Sequence, residues 1–199
     1  MDNLLIIKAI QSKVGTTADG IIGPKTLAAI ADKLGVEVPK QDFTIPTQAE
    51  VRSGKSVYGA AGDESNLTNI TPPYPLFFEG RQVKTIRVHR MIADRVLDAL
   101  RDVLGHYGPT KIKALGLDQY SGSYNYRKNT GGSSLSLHSW GIALDFDAEH
   151  NTYSMHKPQA RFSAPEYDEW WNIWERHGGY SLGRRSDCDY MHVQFARFS

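Results

Sequence analysis

Apolar residues recur at helical spacing from the start of the chain: Ile6, Ile10 and Val14 share one face of the segment Asn3 to Val14, and Gly15 stands where that helix would end. A second run follows. Gly23 precedes Pro24, which suits a first helical position; Leu27, Ile30, Ala31 and Leu34 lie on one face and Gly35 closes the period, so the pattern predicts a helical hairpin. Between the helices runs DGIIGPKT, Asp19 to Thr26, where Gly20 and Gly23 can take positive φ without a Cβ penalty and Pro24 presets φ. From Val38 to Pro75 the prolines 39, 46, 72, 73 and 75 and the glycines 54, 59 and 62 interrupt every period, which predicts a linker followed by long loops. Within it, Tyr58-Gly59 and Pro73-Tyr74-Pro75 are aromatic and rigid enough to pack on a larger body.

Regularity returns with Val88, Ile92, Val96, Ala99, Leu100 and Val103, an apolar stripe with charges on the opposite face, predicting a core helix that ends near Gly105. Ile112 to Leu117 reads as a short apolar strand, and Ser121 to Ser136 as a polar, glycine-bearing loop. Ser163, Pro165 and Glu166 offer a capping box and an early helical proline before Tyr167, Trp170, Trp171 and Trp174, whose spacing reads as core packing. Two further segments alternate as strands do. In SLHSWGIALDFD, Ser136 to Asp147, Ile142, Leu144 and Phe146 share one face and Gly141, Ala143 and Asp145 the other; in DYMHVQF, Asp189 to Phe195, Met191, Val193 and Phe195 lie opposite Tyr190, His192 and Gln194.

Composition narrows the class. The 199 residues suggest one compact domain plus a small appendage, and 40% hydrophobic with 23% charged residues is ordinary for a globular chain. Lys+Arg 23 against Asp+Glu 22 leaves a formal charge of +1, so no global field holds nucleic acid or an anionic membrane. The early apolar run Leu4 to Ile7 is too short for a span or an export signal and has no basic leader, so a soluble chain made in the cytoplasm without membrane insertion is expected. A single cysteine, Cys188, excludes an intrachain disulfide and a multi-cysteine zinc knuckle; its acidic neighbours Asp187 and Asp189 disfavour a thiolate. A metal, if held, falls to His and carboxylate.

If the two alternating strands are neighbours, Asp145 and His192 project from one sheet face, and His138 arrives from the loop at the strand entrance. Two imidazoles and one carboxylate are a donor set that zinc takes when a fourth position is left to water. Spacing alone leaves open the alternative of a surface histidine and unrelated strand-end polar residues. Asp147 follows on the Asp145 face, outside that register. His89, His106, His150, His156 and His177 read as surface or helix-end residues, with His150 and His156 close enough in sequence to merit testing.

The motif Ser136-x-His138-x-x-Gly141-x-Ala143-x-Asp145, followed 44 residues after Asp145 by Asp189-x-x-His192, resembles the zinc peptidases that include vancomycin-resistance D-alanyl-D-alanine dipeptidases and carboxypeptidases and phage L-alanyl-D-glutamate endopeptidases. The resemblance spans about Tyr58 to Phe198. It implies a Hedgehog-like α+β fold, a small antiparallel sheet with flanking helices holding a Zn2+ site, with His138, Asp145 and His192 as the metal ligands. It further implies Asp189 as general base, where many relatives have Glu, and Arg127, in SGSYNYR, as the group that stabilises charge on the substrate. Ser136 becomes a substrate-binding hydroxyl, its local alternative being a cap on the loop before His138; Asn151 and the tryptophan helix also look like family features. DGIIGPKT between its helices resembles the peptidoglycan-binding domain of wall hydrolases, with an ordinary well-punctuated hairpin as the alternative.

Together these readings divide the chain into a peptidoglycan-binding, all-helical segment at 1–37, a linker at 38–57 and a zinc peptidase domain at 58–199. The function they imply is that of a monomeric endolysin that cuts the stem peptides of bacterial peptidoglycan: zinc brings the pKa of water from 15.7 to roughly 7, Asp189 takes the proton, and no protein nucleophile is needed. The enzyme would accumulate in the host cytoplasm and reach the periplasmic wall after holin-mediated release. A bacterial D-alanyl-D-alanine carboxypeptidase for wall remodelling and a non-catalytic wall-binding zinc module are the alternatives.

Overall fold

A computed structural model describes residues 3–22, 24–36 and 43–198, which divide into two compact units, Met1–Thr44 and Ile45–Ser199. The first unit holds α1 (Asn3–Val14) and α2 (Pro24–Leu34), as the periodicity predicts. Gly23 lies outside the described residues, as do 37–42. The apolar stripes, however, are not sealed: Leu27 is 54% and Leu34 71% exposed, while the buried residue of α1 is polar Gln11. Two short helices have too little surface to bury on each other. Gln11 instead organises the connecting turn, donating through Nε2 to Asp19 Oδ1 (2.6 Å) and the Ile21 carbonyl (3.0 Å) and accepting from the Gly20 N–H (2.7 Å). Gly20 sits at φ +84°, where a Cβ would stand 2.2 Å from Leu4 Cδ1.

The second unit is α+β with small antiparallel sheets. It opens at Ile45, so residues 45–57, expected as linker, are part of it. Thr47 caps α3 (Gln48–Arg52) in a full capping box, its Oγ1 accepting from the Glu50 N–H while Glu50 accepts from the Thr47 N–H. Backbone bonds tie this segment to the C-terminal stretch: Gln48 N–H donates to Arg197 O (2.9 Å) and Arg197 N–H to Pro46 O (2.8 Å). The stretch expected as long loops, which ends at Pro75, contains β1 (Leu67–Ile70), and β2 (Leu76–Phe78), β3 (Arg81–Val83) and β4 (Ile86–His89) follow it; β1 pairs with β4 and β2 with β3, both antiparallel. Strands of three or four residues are too short to show a period between prolines.

Val88, expected in the helix, is therefore in β4, and α4 runs from Ala93 to Ala114, past Gly105. It breaks at Gly108, φ +66° and ψ 164°, and resumes at Pro109, a residue suited to a first helical turn. Ile112 is thus a buried helical residue, and the short strand expected from it does not form. A run of a few apolar residues fits either element by pattern alone.

The main sheet has four antiparallel strands in the order β5-β6-β8-β7, with β5 at Tyr120–Gly122, β6 at Ala143–Phe146, β7 at Tyr180–Ser181 and β8 at His192–Gln194. Its back is packed by α5 (Asp168–Arg176), whose Trp170 and Trp174 meet Phe146 with ring centroids 5.1 and 5.5 Å apart. The tryptophan stripe is core, as expected. The capping box read at Ser163 does not form; Ser163 Oγ donates to Ala160 O (2.7 Å), and Pro165 begins a 3-10 turn that leads into α5. A short α6 (Leu182–Ser186) completes the fold. Among the described residues, no helix is long and apolar enough to cross a membrane.

Candidate metal centre and substrate cavity

β6 and β8 are neighbours, and Asp145 is the register partner of His192. The alternation read in the two segments therefore places both side chains on the same sheet face, opposite the apolar back. His192 Nδ1 lies 3.0 Å from Asp145 Oδ1. His138 arrives on a 3-10 turn, Leu137–Trp140, that starts at Ser136 and ends at Gly141 with φ +68°. A Cβ at Gly141 would fall 2.7 Å from Leu67 Cδ2 and 3.1 Å from the His89 backbone N, so this left-handed turn against β4 belongs to glycine on two grounds. The turn delivers His138 Nε2 to 3.1 Å from Asp145 Oδ2. One donor atom from each of the three residues lies within 4.8 Å of the others.

The donor chemistry fits a metal ion. His138 Nδ1 faces the Ser123 carbonyl at 2.5 Å; a carbonyl only accepts, so Nδ1 carries the hydrogen and Nε2 presents a lone pair to Asp145. Two acceptors facing each other across 3.1 Å require a cation or a proton between them. Burial opposes ionisation of Asp145, yet with a proton in that place hydrogen bonds and charge from His138 and His192 outweigh it and hold the carboxyl well below the usual range. Burial likewise works against a charged His192, but Asp145, with help from Asp189 and Gln194, raises its pKa.

Asp189 lines the same cavity and is bound into the fold by its backbone: its carbonyl accepts from the His192 N–H (3.2 Å), its N–H donates to Tyr153 O (3.3 Å), and its φ is +56°. Its Oδ1 is buried without a hydrogen-bond partner, an arrangement that costs about 1–3 kcal/mol until a partner is supplied. Burial first, then the charge of Asp145, pushes the Asp189 carboxyl up, against the opposing pull of His192, His138 and Arg127.

The cavity has a volume of about 500 Å³ and is lined by all six residues singled out in the sequence: Arg127, Ser136, His138, Asp145, Asp189 and His192. Arg127 is exposed; its N–H donates to Ser139 Oγ (3.1 Å), its carbonyl accepts from Ser139 Oγ (2.9 Å) and the Ser136 N–H (3.0 Å), and its guanidinium donates to Lys128 O (3.2 Å). Ser136 Oγ accepts from the His138 N–H (3.4 Å), which is the capping role read as its local alternative. Asp147 is turned away by its own φ of +45°. Its carboxylate accepts from Arg161 (3.0 Å) and meets His150 Nδ1 (2.7 Å). His156 lies against the Asp187 carbonyl, and neither it nor His150 joins the cluster. His89, expected at the surface, is only 2% exposed: Nε2 donates to Tyr58 O (3.1 Å) and Nδ1 accepts from the Met91 N–H (3.1 Å). Burial, then Asp189 and Asp187, push the Cys188 thiol up. Gln48 and Arg52 of α3 also line the cavity and were hidden in the supposed linker; the Thr47-x-x-Glu50 capping box is the sequence signal that marks their helix.

Residues 130–195 match the model of a family described as D-alanyl-D-alanine carboxypeptidase, and this stretch holds all three donors together with Ser136 and Asp189. The protein is a metallopeptidase. The matched family implies a peptide of peptidoglycan as substrate. No curated protein and no solved structure matches the chain.

Proposed function

We propose that the protein is an endolysin whose zinc-dependent peptidase unit hydrolyses amide bonds in peptidoglycan stem peptides. The observation that carries this reading is the juxtaposition of His138, Asp145 and His192 with a buried, unpartnered Asp189 oxygen in one cavity. His138, Asp145 and His192 would hold the ion. When bound, zinc supplies Lewis acidity that brings the pKa of water to roughly 7 and polarises the scissile carbonyl. Asp189, as the carboxylate, accepts a proton from water and returns it to the leaving amine, and the burial that pushes its pKa up makes it the stronger proton acceptor. Arg127 offers charge to the developing oxyanion, and Ser136 a hydroxyl to the peptide. The fixed tautomer of His138, held by Ser123 O, keeps Nε2 free of a proton for its ligand role.

The endolysin role rests on the hairpin of α1 and α2 with its DGIIGPKT turn, read as a wall-binding segment that raises the local concentration of the peptidase. On this reading the chain acts as a monomer, is made in the host cytoplasm and meets peptidoglycan after holin-mediated release. A cell-wall carboxypeptidase is the second reading, favoured by the description of the matched family. Incubating purified, metal-loaded protein with peptidoglycan and identifying the released fragments by mass spectrometry tests both. Internal cleavage of stem peptides supports the endolysin, release of terminal D-alanine alone supports the second reading, and no release refutes the peptidase assignment.

A further inference from the structure

α3 lies outside the stretch that matches the peptidase family, yet it places two side chains on the cavity. Gln48 and Arg52 are four residues apart, hence on one helix face, while Glu50 is used in the cap, its Oε2 accepting from Thr47 N (2.6 Å) and Thr47 Oγ1 (2.9 Å). Arg52 is held in place by two bonds, Nε–H to the Leu135 carbonyl (3.3 Å) and Nη1–H to Gln48 Oε1 (2.8 Å). Gln48 in turn donates to Gln194 Oε1 (3.3 Å), and Gln194, two residues beyond His192, donates to Ala196 O (2.6 Å). A guanidinium has five N–H donors, and two of them are used here. Among the described residues no carboxylate pairs with Arg52 or Arg127, whereas the Asp145 carboxylate is engaged by both imidazoles. The cavity thus presents positioned cations on the side of α3 and the loop at 127.

We infer that Arg52, braced by Gln48, binds a free carboxylate of the substrate peptide and so selects which stem peptides enter the cavity. The inference rests on the peptidase reading above. A cavity of about 500 Å³ extends on the order of 10 Å, or roughly three extended residues, so a carboxylate within a residue or two of the scissile bond meets the requirement. A stem peptide offers such groups in its terminal carboxylate and in the α-carboxylate left free by a γ-linked D-glutamyl residue. Both present the same chemistry, a planar anion that a guanidinium fork takes with two parallel hydrogen bonds.

The test uses the full-length, metal-loaded protein and soluble versions of one stem peptide, in which each of these carboxylates is either free or amidated. For the wild type, amidation of one of them is expected to lower kcat/KM by roughly 10- to 100-fold, mostly through KM, and which one does so identifies the source. Arg52→Gln should lose a comparable factor on the free peptide but less than about threefold on the amidated one. Arg52→Lys, which keeps the charge without the fork, should fall between. Metal content should stay at the wild-type level in both variants. Equal losses on free and amidated peptides would assign Arg52 a merely structural role, and no loss on either would remove it from the site; each outcome overturns the inference. If the wild type cleaves every version without discrimination, the inference fails while the peptidase reading stands. If it cleaves none, the peptidase reading fails and takes the inference with it.

Discussion

Gly141 joins His138 to the strand that carries Asp145, and replacing it with alanine should cost more than its single methyl suggests. Two separable effects act. The residue sits at φ +68°, a region in which a Cβ costs about 1–2 kcal/mol. The new Cβ would also stand 2.7 Å from Leu67 Cδ2 and 3.1 Å from the His89 backbone N. The leucine methyl belongs to a side chain that can rotate away, but the His89 N–H is fixed by its bond to the Gly141 carbonyl (2.9 Å), so relief must come from shifting the turn or β4. Gly80, in the turn between β2 and β3, separates the two effects: its φ is +75° and nothing lies within 4 Å of the place a methyl would take, so Gly80→Ala carries the conformational cost alone. We expect about 1 kcal/mol for Gly80→Ala and about 2–4 kcal/mol for Gly141→Ala. All four tryptophans lie in the second unit, so urea unfolding followed by tryptophan fluorescence reports on it directly. Metal titration should show weaker binding for Gly141→Ala, because the shifted turn carries His138, and wild-type binding for Gly80→Ala. Equal destabilisation by the two substitutions, or unchanged metal affinity in Gly141→Ala, would refute the argument that this glycine sets the position of the ligand.

His192→Ala removes a donor and should abolish stoichiometric metal binding, whereas Asp189→Ala should retain the ion and lose roughly 10²- to 10⁴-fold in peptide hydrolysis; elemental analysis of the folded variants showing equal metal loss would contradict this division. Burial lowers the pKa of His89, so the folded state binds fewer protons than the unfolded one once the pH drops below the unfolded value of about 6.5. Its stabilising contribution is complete above that pH and is lost as the pH falls toward the folded value, by up to ~1.4 kcal/mol per pH unit, and His89→Gln should flatten this part of the stability profile measured by urea unfolding between pH 7.5 and 5.5. A chain starting at Phe43 keeps the whole of the second unit; it should hydrolyse a soluble stem peptide at nearly the full-length rate but sediment less with insoluble peptidoglycan, and undiminished sedimentation of the folded, metal-loaded fragment would show that the hairpin is not a targeting segment.

The parts of the fold that can be read from the sequence are those whose periodicity lasts. α1, α2, α5 and the two strands of the metal centre each repeat their apolar residues over enough positions to identify the element, and for α5 and the strands the buried face as well, whereas the stripes of α1 and α2 stay largely exposed. Asp145 and His192 are legible because a strand pair with an apolar back leaves its front for polar chemistry, and the register then sets them opposite each other. What is not legible depends on short or broken elements. β1 to β4 are only three or four residues each, and α4 passes through a glycine with φ +66° before continuing from a proline, a sequence that reads locally as an ending. α3 is hidden because prolines and glycines on both sides mask its capping box, and Gln48 and Arg52 are hidden with it. His89 escapes for another reason: its burial depends on the Tyr58 carbonyl, 31 residues away, which no local pattern announces.

The two strands alone would not hold the donors at fixed separation, because a three-residue strand such as β8 has few ladder bonds to define its register. The remaining constraint comes from Asn151. Its backbone carbonyl accepts from the Met191 N–H (3.3 Å), just before β8, while its side-chain Nδ2 donates to the Asp147 carbonyl (2.9 Å), just after β6. Its Oδ1 accepts from the Phe162 N–H (2.7 Å), which anchors the same side chain to the segment leading to α5. Between these points, Phe146 N–H donates to Met191 O (2.9 Å), extending the β6–β8 pairing by one bond beyond the register of Asp145 with His192. Asn151 is wholly buried, so each of these bonds is made where water does not compete and where breaking one would leave a polar group unpaired. The carboxylate of Asp147 closes the arrangement by pairing with Arg161 and His150, which keeps it away from the metal donors two residues earlier. The geometry of the centre is therefore fixed from behind, by a buried amide that ties the end of one strand to the start of the other, and this leaves His138, Asp189 and the cavity face free for chemistry.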